Sequence, residues 1–284
     1  MRLAIPSMQT ILSLLPKMIP SSLYPSLRTL VIETLKKGPL PTHVGFIMDG
    51  NRRFSRSKAV PVEEGHMAGF EALKRVLELM LRLEVPNVTV YAFSFDNFNR
   101  PAAEVAKLMD MARTKLLEIC QRGQLLDRYG VRVVVIGRKD LLPIDIQNMV
   151  VKVEAMTAHN TRGCLNVAFP YSSQEEIATA MCRNMQDSLS HNTPITAESI
   201  EQKLYTAHSP PLDILVRTSG VRRLSDFLLA QTSIINDKTV GPSIHFVERY
   251  WPDFGILDVL PIIMGWQAEE MFKRTFGRWS KLMA

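Results

Sequence analysis

Cysteine is scarce: Cys120, Cys164 and Cys182 are the only three in 284 residues. They are far apart, form no CxxC pair and have no histidine at ligand spacing, which excludes a disulfide scaffold and argues against a zinc site. Buried thiols in a reducing compartment are the expectation, with the working face of the protein in the cytosol. No apolar run reaches the roughly 18–20 residues that a membrane-crossing helix needs. A signal peptide's charged start, apolar centre and small-residue cleavage site are not clearly present. There is no 20–50-residue repeat, no low-complexity tract and no Pro/Gly-rich linker after residue 42. A dinucleotide-binding G-x-G-x-x-G turn is absent as well.

Acidic residues are in deficit, 28 against 34 Lys and Arg, a formal net charge of +6. Such an excess invites a nucleic-acid surface or a handler of phosphate or anionic lipid, and its location decides between them. Residues 1–42 hold Arg2, Lys17, Arg28, Lys36 and Lys37 against Glu33 alone, leaving 29 basic and 27 acidic residues downstream. The remainder is nearly neutral and lacks a basic stripe interleaved with aromatics, which argues against a nucleic-acid partner. In the first segment Ile11, Leu12, Leu14, Leu15, Met18, Ile19 and Leu23 are interrupted by Pro6, Pro16, Pro20 and Pro25, so one long helix is prevented. Residues 1–40 therefore read as an arm. Short apolar turns flanked by lysine and arginine suit the interface of an anionic membrane. A poorly ordered tail, or a strap packed on the domain, fits equally well. Residues 41–284 read as a single domain.

What is present is a folded composition, 46% apolar and 22% charged. Six β-branched or aromatic runs read as strands, at residues 43–49, 87–93, 131–137, 164–170, 213–219 and 243–248. Between them, residues 65–83, 104–129, 143–159, 173–189 and 196–205 carry apolar residues at helical spacing. Strands alternating with helices predict an α/β domain with a mostly parallel six-stranded sheet flanked by helices. Ligands of such sheets collect at the carboxyl ends of the strands.

Those ends are rich in polar chemistry. The first run ends in Met48-Asp49-Gly50-Asn51-Arg52-Arg53-Phe54, a carboxylate, an amide and two guanidinium groups around a glycine. The set suits Mg²⁺ and a diphosphate, although Asp-Gly-Asn is also an ordinary turn. Arg56, Lys58 and His66 extend it, His66 near the start of the next helix. The second run ends in Ser94-Phe95-Asp96-Asn97-Phe98-Asn99-Arg100, which suits an apolar wall with an anion at its mouth, or a loop capping the helix near Pro101. The fifth ends in Arg217-Thr218-Ser219-Gly220-Val221-Arg222-Arg223-Leu224-Ser225, a second candidate diphosphate cradle. Two cradles imply two phosphorylated substrates. Phe70, Leu73, Val76, Leu77, Met80, Leu108, Met111 and Leu116 on the neighbouring helices read simply as core.

The blocks His43-Val-Gly-Phe-Ile-Met-Asp-Gly-Asn-Arg-Arg53, Glu64-Gly-His66, Tyr91-Ala-Phe-Ser94 with Asn97-Phe-Asn-Arg100, Asp213-Ile-Leu-Val-Arg-Thr-Ser-Gly220 with Arg223-Leu-Ser225, and Trp251-Pro-Asp-Phe254 resemble the signature of the cis-prenyltransferases. The resemblance spans about residues 41–267. It is nearest the catalytic subunits of eukaryotic dehydrodolichyl diphosphate synthases, relatives of bacterial undecaprenyl diphosphate synthase. It implies Mg²⁺-dependent, sequential condensation of isopentenyl diphosphate onto farnesyl diphosphate. The product would be a long polyprenyl diphosphate for dolichol and protein glycosylation, made at the cytosolic face of the endoplasmic reticulum membrane. Asp49 then matches the metal-binding aspartate that helps the allylic diphosphate leave. Gly50, Asn51, Arg52, Arg53, Phe54 and His66 match the first diphosphate site. Arg100, Arg217, Arg223 and Ser225, with Phe98 nearby, match the isopentenyl diphosphate site, and Ser94 and Asn97 lie near proton removal. The apolar helix faces become walls of a tunnel, with small Ala92 at the strand end leaving room.

The sequence departs from the family pattern in places. Val62 stands where many members have arginine, so the first cradle leans on Arg56 or Lys58. Val221 replaces a glutamate, Ala230 a tryptophan, and residues 234–243 read as an insertion; a second metal-binding glutamate has no clear match. The end, Gly277 to Ala284, lacks the Arg-x-Gly found in single-subunit members and in accessory subunits, which implies a homologous accessory subunit carrying that motif as partner. A catalytically weak partner of such an enzyme would be expected to lack Asp49 and the arginines, yet all are present. An all-helical trans-type prenyl synthase would show a DDxxD motif, which is missing.

Overall fold

The computed structural model describes residues 24–233 and 241–282. The apolar start of the arm and most of the expected insertion lie outside the described residues. All six strands are present: β1 (His43–Ile47), β2 (Asn87–Tyr91), β3 (Val131–Ile136), β4 (Gly163–Ala168), β5 (Ile214–Arg217) and β6 (Ser243–Phe246). They pair in the order β3-β4-β2-β1-β5-β6, every pairing parallel. A parallel sheet needs crossovers that cover both faces, so its strands read as continuous buried runs, as in β1, buried at all five positions. Alternate residues face opposite sides. Phe46, Val90, Val135, Val167 and Val216 enter the main core, whereas Ile47, Ile136, Ala168 and Leu215 join Phe227 and Leu228 in a smaller one.

α1 (Tyr24–Leu35), within the expected arm, buries Ile32 and Leu35 in the main core. Gln267 Nε2 donates to Leu35 O at 2.7 Å and Pro39 O at 2.9 Å, tying this segment to the final helix. α2 (Asn51–Lys58) follows β1 directly, and α3 (Val62–Arg82) packs across it. α3 buries Gly65, Gly69, Ala72, Val76 and Met80, spaced three or four apart, and carries Glu63 and Glu64 in its first turn and Arg82 in its last, matching the helix dipole. α4 (Ala102–Cys120) and α5 (Leu125–Tyr129) divide the one helix that periodicity predicts over 104–129, because Gln121 is extended and Gly123 is left-handed at φ 79°. α6 (Ile144–Thr157) and α7 (Ser173–His191) match expectation, whereas α8 (Ala197–Glu201) is shorter than predicted. α9 (Leu229–Thr232) and α10 (Ile256–Leu282) complete the order.

Register aligns the strand ends. Ile136, Ala168, Tyr91, Ile47, Arg217 and Phe246 form one row across the sheet. The chain runs from β1 to β2 on one side and returns with β5 on the other, so the switch point where ligands bind α/β sheets falls between β1 and β5.

Candidate active site

Asp49 stands just past that row. Thr218, fully buried, pins it: Asp49 N donates to Thr218 Oγ1 at 3.0 Å, and Thr218 Oγ1 donates to Asp49 O at 2.7 Å. Gly50 follows with φ 107°, a left-handed conformation that L-residues avoid. A Cβ there would also meet Ser219 Cβ and Tyr250 Cδ1 at 2.9 Å. This turn starts α2 immediately, so its first backbone N–H groups lack partners within the helix and lie next to the carboxylate.

Arg217, 4% exposed, is the counterpart on β5. Its Nη2 donates to Asp49 Oδ2 at 2.7 Å, and its Nη1 to Arg223 O at 2.6 Å and Ser225 Oγ at 2.7 Å. Its Nε is buried without a partner. Arg53 Nη2 approaches Asp49 Oδ2 at 3.3 Å and also donates to Ser219 Oγ, with the guanidinium 5.8 Å from the centre of the Tyr250 ring. Burial alone raises the pKa of Asp49. The Arg217 hydrogen bond and the charges of Arg217 and Arg53 outweigh it, so the carboxyl is held below its ordinary range and is ionised at neutral pH.

Opposite, Asn51 projects over Gly69, where a Cβ would lie 2.5 Å from Asn51 Oδ1. That oxygen and His66 Nε2 are both buried and unpartnered. Burial, then the charges of Arg100 and Arg52 against the opposing Glu104 and Glu63, lowers the pKa of His66 and keeps its imidazole neutral. After β2, Ser94 N donates to Asn97 Oδ1 at 3.2 Å. Arg100 Nη1 reaches Glu104 Oε1 at 3.0 Å, and Arg52 Nη1 lies 3.6 Å from the same oxygen. Three orphaned polar atoms, a donor, an acceptor and a neutral imidazole nitrogen, thus converge with arginines from three strand ends. Such a site is built for an anion and its counter-ion.

Most of these groups ring the mouth of one cavity of about 420 Å³. Asp49, Asn51, His66, Ser94, Asn97, Arg100, Arg217, Arg223 and Ser225 all line it, so the two cradles read from sequence open on a single site. Below the mouth the lining turns apolar: Val90, Leu165 and Val167 from the sheet, Phe70 and Leu73 from α3, Leu108, Met111, Leu116 and Ile119 from α4. Val76, Leu77 and Met80 instead belong to the core, as the helix pattern predicts. Gly50, Arg52, Arg53, Phe54 and Phe98 do not line the cavity. Arg53 reaches it through Asp49, and Phe98 packs edge-on against Phe93 at 4.9 Å. Arg56 and Lys58, the expected substitutes for an arginine at position 62, are exposed on α2 and outside the lining. Sequence reading missed Thr218 as the pin of Asp49 and Glu104 as the carboxylate between Arg52 and Arg100; a lone threonine and a helix-start glutamate carry no signal of their own.

Among the described residues no group of three His, Cys, Asp or Glu side chains forms a metal cage. Mg²⁺ needs none: it is held by one or two carboxylates together with substrate phosphates. The ionised Asp49 carboxylate and the unpartnered Asn51 Oδ1, both lining the same cavity, are hard-oxygen donors of the kind that fits it.

The sequence profile of the undecaprenyl diphosphate synthase family of prenyltransferases matches residues 47–277. A dehydrodolichyl diphosphate synthase complex subunit of Schizosaccharomyces pombe is 40% identical over 86% of this chain and 91% of its own length. The corresponding subunit of Homo sapiens is 39% identical over 82% of this chain and 69% of its own. A geranylgeranyl-diphosphate-specific tritrans,polycis-undecaprenyl-diphosphate synthase of Thermococcus kodakarensis is 35% identical over 94% and 98%. Lavandulyl diphosphate synthase from Lavandula x intermedia, solved in complex with dimethylallyl diphosphate, superposes with a TM-score of 0.70 at 28% identity, covering 80% of this chain and 95% of that one. A parallel sheet with a charged mouth over an apolar cavity, and relatives of this identity and coverage, place the chain in the undecaprenyl diphosphate synthase family as a cis-prenyltransferase, an enzyme that elongates prenyl diphosphates.

Proposed function

We propose that the enzyme condenses isopentenyl diphosphate sequentially onto farnesyl diphosphate, with Mg²⁺, to make a long dehydrodolichyl-type polyprenyl diphosphate for dolichol and protein glycosylation. The observation that carries this reading is the buried Arg217, bonded to Asp49 and keeping an unpaired Nε at the mouth of an apolar cavity. In each cycle the allylic C–O bond breaks, the isopentenyl double bond attacks the freed carbon, and a proton leaves to set the new cis double bond. Mg²⁺ on Asp49 would supply charge that stabilises the departing diphosphate. Asn51, Arg52, Arg53, His66 and the free N–H groups of α2 bind that diphosphate, with Gly50 and Phe54 shaping the turn. Arg100, Arg217, Arg223 and Ser225 hold the isopentenyl diphosphate, Phe98 walls its loop, and Ser94 and Asn97 lie at the proton being removed. Donors fixed by their own hydrogen bonds need no reorganisation as charge develops, which is where such sites gain rate. Phe70, Leu108, Met111 and Leu116 accept the growing tail.

Relatives named as complex subunits support a homologous accessory subunit as partner. No helix among the described residues is long and apolar enough to cross a membrane. Association with the cytosolic face of the endoplasmic reticulum is proposed to run through the basic arm of residues 1–40. The test is incorporation of labelled isopentenyl diphosphate into lipid, with Mg²⁺ and the accessory subunit, using farnesyl or geranylgeranyl diphosphate as starter. Wild type should give long products and Asp49→Ala a loss of at least about 10²-fold, the scale of one removed transition-state contact. An active Asp49→Ala would sink the role of Asp49; absence of wild-type product would sink the function.

A further inference from the structure

Tyr91 closes β2 and lines the cavity mouth, yet no step above uses it. Its hydroxyl faces two carbonyls at nearly equal distances, Tyr171 O at 3.3 Å and Ser225 O at 3.2 Å. A phenol has one proton, so these are the two arms of a shared hydrogen bond. The ring is immobilised from both sides, stacked on buried Phe227 at 4.5 Å and 13° and edge-on to buried Tyr171 at 5.9 Å.

Ser225 needs such a hold. It, Asp226 and Leu228 all have left-handed backbones, φ 50°, 59° and 49°, which L-residues keep only when their surroundings over-determine them. From one side the loop is held by Ser173 N donating to Asp226 O at 3.0 Å and Gln174 N to Asp226 Oδ1 at 3.2 Å. From the cavity side it is held by Tyr91. What the loop presents is Ser225 Oγ, which accepts from Arg217 Nη1 at 2.7 Å and Arg223 Nε at 3.2 Å. The sheet does not depend on this hydroxyl, because β2 is already paired by backbone with β1 and β4.

We propose that the Tyr91 hydroxyl is a positioning group for isopentenyl diphosphate: by fixing the carbonyl of left-handed Ser225 it sets the Arg217–Ser225–Arg223 cluster and ties that cluster to the end of β2. The inference rests on the reading that this cluster holds the isopentenyl diphosphate.

The test is Tyr91→Phe in the assembled enzyme with its accessory subunit, each substrate varied at saturation of the other. Phenylalanine keeps both ring contacts. The KM for isopentenyl diphosphate is expected to rise about tenfold, the scale of one net hydrogen bond, while the starter KM and the melting temperature stay at wild-type values. A merely structural hydroxyl would lower the melting temperature and shift all kinetic constants together, and that result overturns the proposal. Arg223→Ala and Ser225→Ala separate the two readings. If they raise the isopentenyl diphosphate KM and Tyr91→Phe does not, the role of Tyr91 falls and the site stands; if they leave it unchanged, the site reading falls and takes the proposal with it. Tyr91→Leu, which loses the stacking as well, should melt earlier than Tyr91→Phe with the same isopentenyl diphosphate KM. A KM that tracks the ring rather than the hydroxyl counts against the clamp.

Discussion

Arg217→Lys separates charge from geometry at the centre of the site. In the native enzyme one guanidinium serves Asp49, Arg223 O and Ser225 Oγ within 2.6–2.7 Å and keeps Nε free inside the cavity mouth. A lysine ammonium is a point donor on a flexible stem and cannot face Asp49 and Ser225 together. Retaining Asp49, it gives up two charge-assisted bonds of about 1.5–3 kcal/mol each. Ser225 is half-buried and Arg223 exposed, so water recovers part of this. The net loss of stability is then about 2 kcal/mol, a fall in melting temperature of about 5 °C for a domain of this size. Activity falls further, because the unpartnered Nε is a preorganised donor and one such donor is worth about 3 kcal/mol in a transition state, about 10²-fold in kcat/KM. The assay is steady-state incorporation of isopentenyl diphosphate beside a thermal melt. Since lysine preserves the charge that keeps Asp49 ionised, the acid limb of the pH–rate profile should not move; Arg217→Met should shift it to higher pH, because the pKa of Asp49 rises without its partner. A lysine enzyme within threefold of wild type would refute the argument that the fork matters beyond its charge.

His43, 1% exposed, donates from Nδ1 to Pro210 O at 2.8 Å, so its Nε2 accepts from Thr89 Oγ1 at 2.6 Å and the ring is neutral. Burial, offset in part by Pro210 O and Asp213, lowers its pKa from 6.5 to about 4. The unfolded chain takes the proton first, so this stability is present above pH 6.5 and about 3 kcal/mol of it is lost by about pH 4. Urea midpoints of wild type and His43→Gln, compared between pH 7 and 4.5, should converge on acidification; parallel curves would contradict the assignment. Ala112→Phe places a ring in the cavity wall below the mouth. Shorter products with an unchanged isopentenyl diphosphate KM are expected by chromatography, and full-length product would place the growing tail elsewhere.

The sheet was legible because buried parallel strands are continuous β-branched runs such as Val131-Arg-Val-Val-Val-Ile136. α2 was not: Asn-Arg-Arg-Phe-Ser-Arg-Ser-Lys has no apolar period, and the helix depends on its close crossing with α3, where Gly65 leaves room for Ser55 and Asn51. Of the site, the charged groups could be named from the strand ends, since chemistry concentrated there has few structural uses. Their supports could not. Thr218, Glu104 and the hydroxyl of Tyr91 are ordinary residues whose roles follow from partners 169, 52 and 134 positions away or less. Nor does spacing tell which apolar residues of α3 face the cavity and which the core; Phe70 and Val76 differ only in rotation about the helix.

Strand order also bears on how the protein is made. Asp49 meets Arg217 across 168 residues, and β1 gains its second neighbour only when β5 docks beside it. Until about three quarters of the chain has left the ribosome, β1 is therefore a buried-type strand with one bare edge, the kind of surface that recruits other chains. The same late event that shields this edge brings in the guanidinium that completes the site. A nascent or truncated chain ending before β5 would need chaperone cover and would be inert for one shared reason.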